Sequence, residues 1–216
     1  GIRAIEPVDH RFAARFGYAI KHLAVARETP ERELDLRVHP ALVPARHPLA
    51  SVDGVLNAVA IEADGAGSQV LVGRGAGSLP TAVSVVADLV DCARNRRAGV
   101  AGHQTHGLDV VRRPIAPRDG TDAVWYLRMR VADRPGVLAQ IAGALGKHEV
   151  SIEQMVQEGG GRRASDRLGG TDDTRVIVLL THNAIERDIR AALATIDAMP
   201  FVHGHSLALR VEGHVL

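Results

Sequence analysis

The stretch from Val131 to Ile141 constrains the fold more than any other, because it joins two different periodicities through a tight turn. Before it, large side chains alternate with polar ones, which predicts a half-buried strand. These are Trp125, Leu127, Met129 and Val131. After it, apolar residues recur at helical spacing from Val137 to Leu145. The sequence therefore predicts a strand, a turn and an amphipathic helix.

The turn itself, Asp133-Arg134-Pro135-Gly136, has two interpretations. Proline fixes φ, glycine tolerates unusual φ, and aspartate can cap a helix, so the motif can be a plain strand-to-helix connection. The same turn leaves free backbone amides at a helix start, which suits recognition of a small ligand. The surrounding pattern favours the ligand-binding interpretation.

A β-α-β-β-α-β order follows from the C-terminal half. Residues 150–157 are strand-like, Arg175 to Leu180 form a continuous apolar run typical of a central strand, and residues 207–211 alternate again. A second helix is predicted from an Asn183/Glu186 capping box to Pro200. This order places two helices on one face of an antiparallel sheet, an α+β fold. The segment from Gly159 to Asp173 is predicted to be a long loop.

Composition excludes several classes of protein. A chain of 216 residues with 46% hydrophobic residues suits two small domains with real cores. A net charge of +1 gives no indication of a nucleic-acid or anionic-membrane partner. No apolar run approaches the roughly 20 residues needed to span a bilayer. The single Cys92 excludes an internal disulfide, which favours a cytoplasmic location.

The N-terminal half carries further predicted elements. A helix is predicted from about Asp9, as its N-cap, to Arg27, and strands at residues 34–38, 56–61 and 69–72. A second helix is predicted from about Pro80 to Arg97, with one apolar stripe. The stripe consists of Ala82, Val85, Val86, Leu89 and Val90. Gly99 to Gly120 has the composition of a linker.

Between the last strand and helix of that half lies Gly73-Arg74-Gly75-Ala76-Gly77-Ser78-Leu79-Pro80-Thr81. Glycines there let the backbone approach a ligand, and the helix start offers unpaired N–H groups. Position 78 is serine, so the pattern is not G-x-G-x-x-G, and it does not predict a complete dinucleotide-binding domain. From spacing alone, a ligand-binding turn and a simple tight turn remain equal alternatives.

The histidines do not predict a metal site. His103 and His106 lie in the predicted linker, and His203 and His205 lie near the last strand. Neither pair has a cysteine or carboxylate cluster at ligand spacing. Surface or interface histidines are the favoured interpretation, and no Ser/His/Asp or Cys/His arrangement is evident.

Three N-terminal stretches, with the C-terminal pattern, resemble the C-terminal portion of the homoserine dehydrogenases and their ACT regulatory domain. The stretches are Phe16-Gly17-Tyr18-Ala19-Ile20-Lys21-His22-Leu23-Ala24, Val38 to Val59, and Gly73 to Asp88. The resemblance implies that residues 1–98 are part of the catalytic domain, which binds substrate and dimerises. Residues 99–120 would be a linker, and residues 121–216 a ferredoxin-like ACT domain.

The family reduces aspartate semialdehyde to homoserine with NAD(P)H, on the way to threonine, methionine and isoleucine. The resemblance implies that Gly75, Ala76 and Gly77 contact the NAD(P) cofactor. It assigns no catalytic residue to this chain, since the family's catalytic lysine is expected upstream of Gly1. The 216-residue chain alone is therefore expected to be inactive, and bare residues of the apolar stripe are expected to make it associate.

The ACT resemblance implies pairing of two such domains in a homo-oligomer, with an amino-acid effector at their interface. Threonine is the expected effector. Asp133, Pro135, Gly136 and Val137 would bind its charged ends, and a partner strand carrying Ser151 and Ile152 would close the site. Two alternatives remain: a stand-alone amino-acid sensor without catalysis, and a dimerisation module with an empty pocket.

Overall fold

The computed structural model describes residues 2–100, 111–158 and 174–213. They fall into two compact units. The first unit combines residues 1–50 with residues 114–215, and the second contains residues 51–113.

The helices and strands follow one another in a simple order. They are α1 (Pro7–Arg15), β1 (Tyr18–Glu28), β2 (Leu34–Pro44), β3 (Leu56–Ala63), β4 (Gly67–Arg74), α2 (Ser78–Ala98), β5 (Asp122–Ala132), α3 (Val137–Lys147), β6 (Ile152–Glu158), β7 (Thr174–Thr181), β8 (Ala184–Ile185), α4 (Glu186–Asp197) and β9 (Leu207–Val211).

The predicted β-α-β-β-α-β unit is confirmed. Its strands lie in the order β9-β5-β7-β6, and every neighbouring pair among them is antiparallel. The short β8 pairs with the beginning of β5. This order places the first and third strands of the unit in the middle, as in a ferredoxin-like sheet.

Both faces of this sheet are covered, so β5 is buried on both sides rather than half-buried as predicted. One face packs against α3 and α4, with Leu127, Ile141 and Ile189 in its core. The opposite face packs against α1 through Phe12 and Tyr126. The alternation along β5 therefore separates two cores rather than a core and solvent.

Strands β1 and β2 extend the same sheet. β2 pairs in parallel with β9, where Ala41 lies opposite Arg210 and Leu42 opposite Val211. The end of the predicted linker also runs beside β2, because the Leu34 N–H donates to the Pro114 carbonyl at 2.8 Å. The grouping in space consequently differs from the sequence division at residues 98 and 121: residues 1–50 pack with the C-terminal part.

The predicted helix from Asp9 to Arg27 is wrong beyond its first part. α1 ends at Arg15, and Gly17 takes a φ of +83° that breaks the helix. Residues 18–28 then pair with β2 along their whole length, from Tyr18 opposite Pro44 to Glu28 opposite Leu34. Strand pairing outweighs the i, i+4 spacing of the apolar residues in this segment.

The two predicted helix caps are also wrong. Glu6 is the N-cap of α1, and Asp9 is its third residue, whose carboxylate accepts the Glu6 N–H at 2.7 Å. α4 begins at Glu186 with Ile185 as its N-cap, so Asn183 caps nothing in that helix. The Asp9 and Glu186 carboxylates are instead buried in ion-pair clusters.

The second unit consists of the β3–β4 hairpin and α2, as predicted from the strands at 56–61 and 69–72 and the helix at 80–97. No residue of α2 is buried. The apolar stripe is therefore exposed, with Val86 at 58% and Leu89 at 64% of full exposure.

None of the helices in the described part of the chain combines the length and apolar character needed to cross a membrane.

Candidate functional site

The glycine turn connects β4 to α2. The Gly75 N–H donates to the Val55 carbonyl at 2.8 Å, which ties the turn to the start of β3. Gly77 is the N-cap of α2 and has a φ of +123°, a conformation that L side chains rarely adopt. No side chain caps this helix end. The turn thus presents bare backbone at a helix start, which suits an anionic or polar ligand group.

A Cβ on Gly75 would collide with Asn57. It would lie 1.9 Å from Nδ2 and 2.4 Å from Cγ of that side chain. The glycine at position 75 therefore leaves room for the Asn57 carboxamide, and Gly77 is needed for its backbone conformation. Sequence reasoning identified the turn but missed Asn57, which reaches it only through the pairing of β3 with β4.

The loop between β5 and α3 lines an open depression of about 350 Å³. Four predicted residues meet there: Asp133, Pro135, Gly136 and Val137. Gly136 has a φ of +85° and is the N-cap of α3, and no side chain caps this end either. The Val137 N–H makes only a long hydrogen bond, 3.4 Å, to the Arg134 carbonyl, which a ligand carboxylate at this helix start can replace.

Arg175 and Gln157 belong to this region and were not predicted. Arg175 donates to the Asp133 carboxylate at 2.6 Å, and that hydrogen bond raises the pKa of Arg175. Gln157 lines the depression from β6. Both lie at the end of the sheet where β5 ends and β7 begins, a placement that follows from antiparallel pairing rather than from local sequence.

Ser151 and Ile152 lie elsewhere in the same chain. Ile152 pairs with Thr181 at one end of β7, whereas the loop adjoins the other end, where Ala132 pairs with Thr174. At about 3.3 Å per residue, the two ends of β7 are separated by about 20 Å. One copy of the chain does not bring all six predicted effector residues together.

A buried charge cluster joins β2, β9 and α4. Arg37 donates to both Asp35 and Glu186 at 2.6 Å, and Arg210 donates to Glu186 at 3.2 Å. Burial alone would raise the pKa of Glu186, but the Arg37 hydrogen bond and the charges of Arg118, Arg37 and Arg190 lower it. Arg210 also lies over the Trp125 ring at 4.9 Å. Arg210 Nε is buried without a hydrogen-bond partner, 3.5 Å from a Glu212 carboxylate oxygen. The ion pairs of this cluster hold the strands and the helix together.

The histidines form no metal site among the described residues, where no group of three or more His, Cys, Asp or Glu side chains is placed to hold an ion. His205 is exposed and lies 3.5 Å from Asp197. His103 and His106 lie outside the described residues.

Two known family models match separate parts of the chain. Residues 1–90 match the homoserine dehydrogenase family model, and residues 125–201 match the ACT domain model. Residues 1–90 therefore belong to the homoserine dehydrogenase family, and residues 125–201 form an ACT domain. The chain corresponds to a C-terminal portion of its relatives.

Curated homoserine dehydrogenases match nearly the whole chain. That of Neisseria gonorrhoeae is 40% identical over 98% of the chain, and that of Pseudomonas aeruginosa 39% identical over 98%. The chain spans about half the length of these relatives, 47% and 48% respectively. No relative among them favours a stand-alone ACT protein, since each carries the name homoserine dehydrogenase.

Solved structures agree. A homoserine dehydrogenase from Thiobacillus denitrificans is 38% identical, with a TM-score of 0.78. The match covers 99% of this chain and 47% of the Thiobacillus chain. The structure of the Staphylococcus aureus homoserine dehydrogenase at pH 6.0 is 20% identical, with a TM-score of 0.56. It shares the fold over 99% of this chain and 46% of the Staphylococcus chain.

Proposed function

We propose that this chain forms part of an NAD(P)H-dependent homoserine dehydrogenase that reduces aspartate semialdehyde to homoserine. The observation that carries the proposal is the turn at Gly75-Ala76-Gly77, in a segment that belongs to the family. A Cβ on Gly75 would collide with Asn57, and Gly77 takes a backbone conformation suited to glycine. These residues fit a nicotinamide cofactor, which supplies the hydride when bound.

The role of this chain in the reaction is to hold the cofactor rather than to move protons. Gly75, Ala76 and Gly77 would contact the cofactor through their backbone, and the start of α2 would face it with unpaired N–H groups. We assign no catalytic acid or base to these 216 residues.

The ACT domain is proposed to bind an amino acid and regulate the enzyme. Threonine, an end product of the pathway, is the proposed effector. Its carboxylate would meet the start of α3 at Gly136 and Val137, beside the Asp133–Arg175 pair. Because Ser151 and Ile152 lie at the far end of β6, they would reach this loop only from a second copy. The functional unit is therefore proposed to be a cytoplasmic homo-oligomer.

The test uses the protein encoded by the complete open reading frame that contains this sequence. Purified protein is expected to oxidise NADPH or NADH when aspartate semialdehyde is added, and threonine is expected to lower that rate. Absence of aldehyde-dependent oxidation with both cofactors would overturn the enzymatic proposal. If threonine, isoleucine and methionine all leave the oxidation rate unchanged, only the proposal that the ACT domain regulates the enzyme is overturned.

A further inference from the structure

We propose that Asn57 is a further cofactor-binding residue, whose carboxamide recognises the carboxamide of the nicotinamide ring. This inference rests on the proposed function and deepens it, because it gives the glycine turn a side chain that can read the ligand. The second unit alone supplies all the residues involved.

The pairing of β3 with β4 places Asn57 beside the turn. Asn57 lies directly opposite Gly73, so their side-chain positions are on the same face of the hairpin. Gly75, two residues further along, is the diagonal neighbour on that face. A Cβ on Gly73 would meet no atom within 4 Å. Two glycines thus leave a side-chain-free platform with one carboxamide at its edge.

Asn57 occupies the space that a side chain of residue 75 would need. A Cβ on Gly75 would lie only 1.9 Å from its Nδ2. The amide therefore lies directly against the backbone that is proposed to carry the cofactor. An alanine at position 75 would have to displace this amide or the turn.

The Asn57 carboxamide is available to a ligand. The residue is exposed, and no hydrogen bond joins its side chain to another residue in the described part of the chain. An asparagine amide offers a carbonyl acceptor and an NH2 donor, which complement the donor and acceptor of another primary carboxamide. Nicotinamide carries such a carboxamide. The next two side chains on the same face of β3, Val59 and Ile61, offer no hydrogen-bonding group.

The experiment separates recognition from mere support of the turn. In the protein from the complete reading frame, calorimetry measures the dissociation constants of the oxidised cofactor that the enzyme prefers and of its 3-acetylpyridine analogue. The analogue replaces the amide nitrogen of the carboxamide by a methyl group. The variants are Asn57→Ala, the isosteric Asn57→Asp, Gly75→Ala and the double variant Asn57→Ala/Gly75→Ala. Gln69→Ala is the matched control, an exposed amide on the same face at the far end of the hairpin.

We expect wild type and Gln69→Ala to bind the carboxamide form about five- to tenfold more tightly than the analogue, the value of one hydrogen bond. Asn57→Ala and Gly75→Ala should each reduce this preference to below about twofold. Asn57→Asp should keep the preference, because its carboxylate still accepts from the carboxamide NH2, but it should bind both ligands more weakly through loss of the NH2 donor. The double variant should resemble either single variant, because both changes remove the same contact.

A preference that persists in Asn57→Ala or disappears in Asn57→Asp would overturn the inference, and so would a wild type that does not discriminate. Uniform weakening of both ligands in Asn57→Ala would likewise assign Asn57 to support of the turn alone. A wild-type protein without homoserine-dependent cofactor reduction would instead overturn the proposed function, so the two failures are distinguishable.

Discussion

The Tyr126 hydroxyl donates a 2.8 Å hydrogen bond to Oδ1 of Asp9, and thereby joins α1 to the central strand of the ACT domain. The same oxygen accepts from Arg128 Nε at 2.7 Å. Glu6 contacts Arg128 at 3.2 Å and also pairs with Arg130. Burial and the adjacent Asp9 carboxylate raise the pKa of Tyr126, so the hydroxyl stays protonated and donates. A helix of the segment that matches the homoserine dehydrogenase family is thus fixed to the ACT domain.

Replacement of Asp9 by asparagine should destabilise the first unit by about 3 kcal/mol, because the buried Arg128 would lose its closer, fully buried carboxylate and keep only the partly exposed Glu6. Trp125 is the single tryptophan and lies in this unit, so its fluorescence during urea unfolding reports the loss. Asp91→Asn, an exposed site on α2, is the control and should change the value by less than about 0.5 kcal/mol. Equal stability of both variants would show that Asp9 is not a structural anchor.

The hydrogen bond between Tyr126 and Asp9 could not be predicted from local sequence patterns. The periodicities of β5, α3, β7 and β9 predicted the ACT fold, because each element alternates or repeats over a sufficient length. Tyr126 and Arg128 appeared as the solvent side of β5 because their partner lies more than a hundred residues earlier. The break at Gly17 was missed for a related reason: only long-range pairing of β1 with β2 outweighs the helical spacing.

Gly77→Ala should weaken cofactor binding by about five- to 150-fold, because alanine at a φ of +123° is strained by about 1–3 kcal/mol and its methyl group would lie 3.3 Å from Pro80 Cδ. Calorimetric titration of the complete protein with NADP+ or NAD+ measures the effect. Gly65→Ala in the β3–β4 connection is the control, since its Cβ would meet no atom within 4 Å and its φ is not positive. Wild-type affinity in Gly77→Ala would contradict the assignment of this turn.

Gly136→Ala should weaken effector binding several-fold, because its φ of +85° sets the start of α3 towards the depression. Gly143→Ala in the middle of the same helix is the matched control, and it should stabilise the first unit by about 0.5–1 kcal/mol without changing effector affinity. Calorimetry with threonine, isoleucine and methionine provides the readout. If no amino acid produces heat with the wild type, the effector proposal fails before the variants are compared.

In the candidate sites, too, local sequence patterns predicted the turn residues but not the residues that arrive from neighbouring strands. Turn chemistry alone located Gly77 and Gly136, and both take the positive φ that makes glycine necessary. Arg175, Gln157 and Asn57 could not be found in this way. Each reaches its site across a neighbouring strand, and register is set by the whole sheet rather than by nearby residues.

The charge cluster at Glu186 should make stability depend on acidity. The pKa of Glu186 in the folded chain is lowered from its ordinary value of 4.5, so its contribution is present above that value and is lost as pH falls through the folded-state pKa. Glu186→Gln should therefore be less stable than wild type at pH 7, and the gap should narrow in acid below about pH 4. Urea unfolding followed by Trp125 fluorescence at each pH measures it, with exposed Glu31→Gln as control. A gap that does not change with pH would exclude the ion pairs as its cause.

The exposed stripe on α2 should make the 216-residue chain associate. Val86 and Leu89 lie at 58% and 64% of full exposure, next to other bare apolar side chains of the same helix. Burying such a patch between molecules gains about 25 cal/mol per Å² of apolar surface removed from water. Sedimentation velocity should show mass rising with concentration, and the double variant Val86→Gln/Leu89→Gln should reduce it. Arg94→Gln changes a polar site on the same helix and should not. A monomeric wild type at every concentration would show that the patch is too small to drive association.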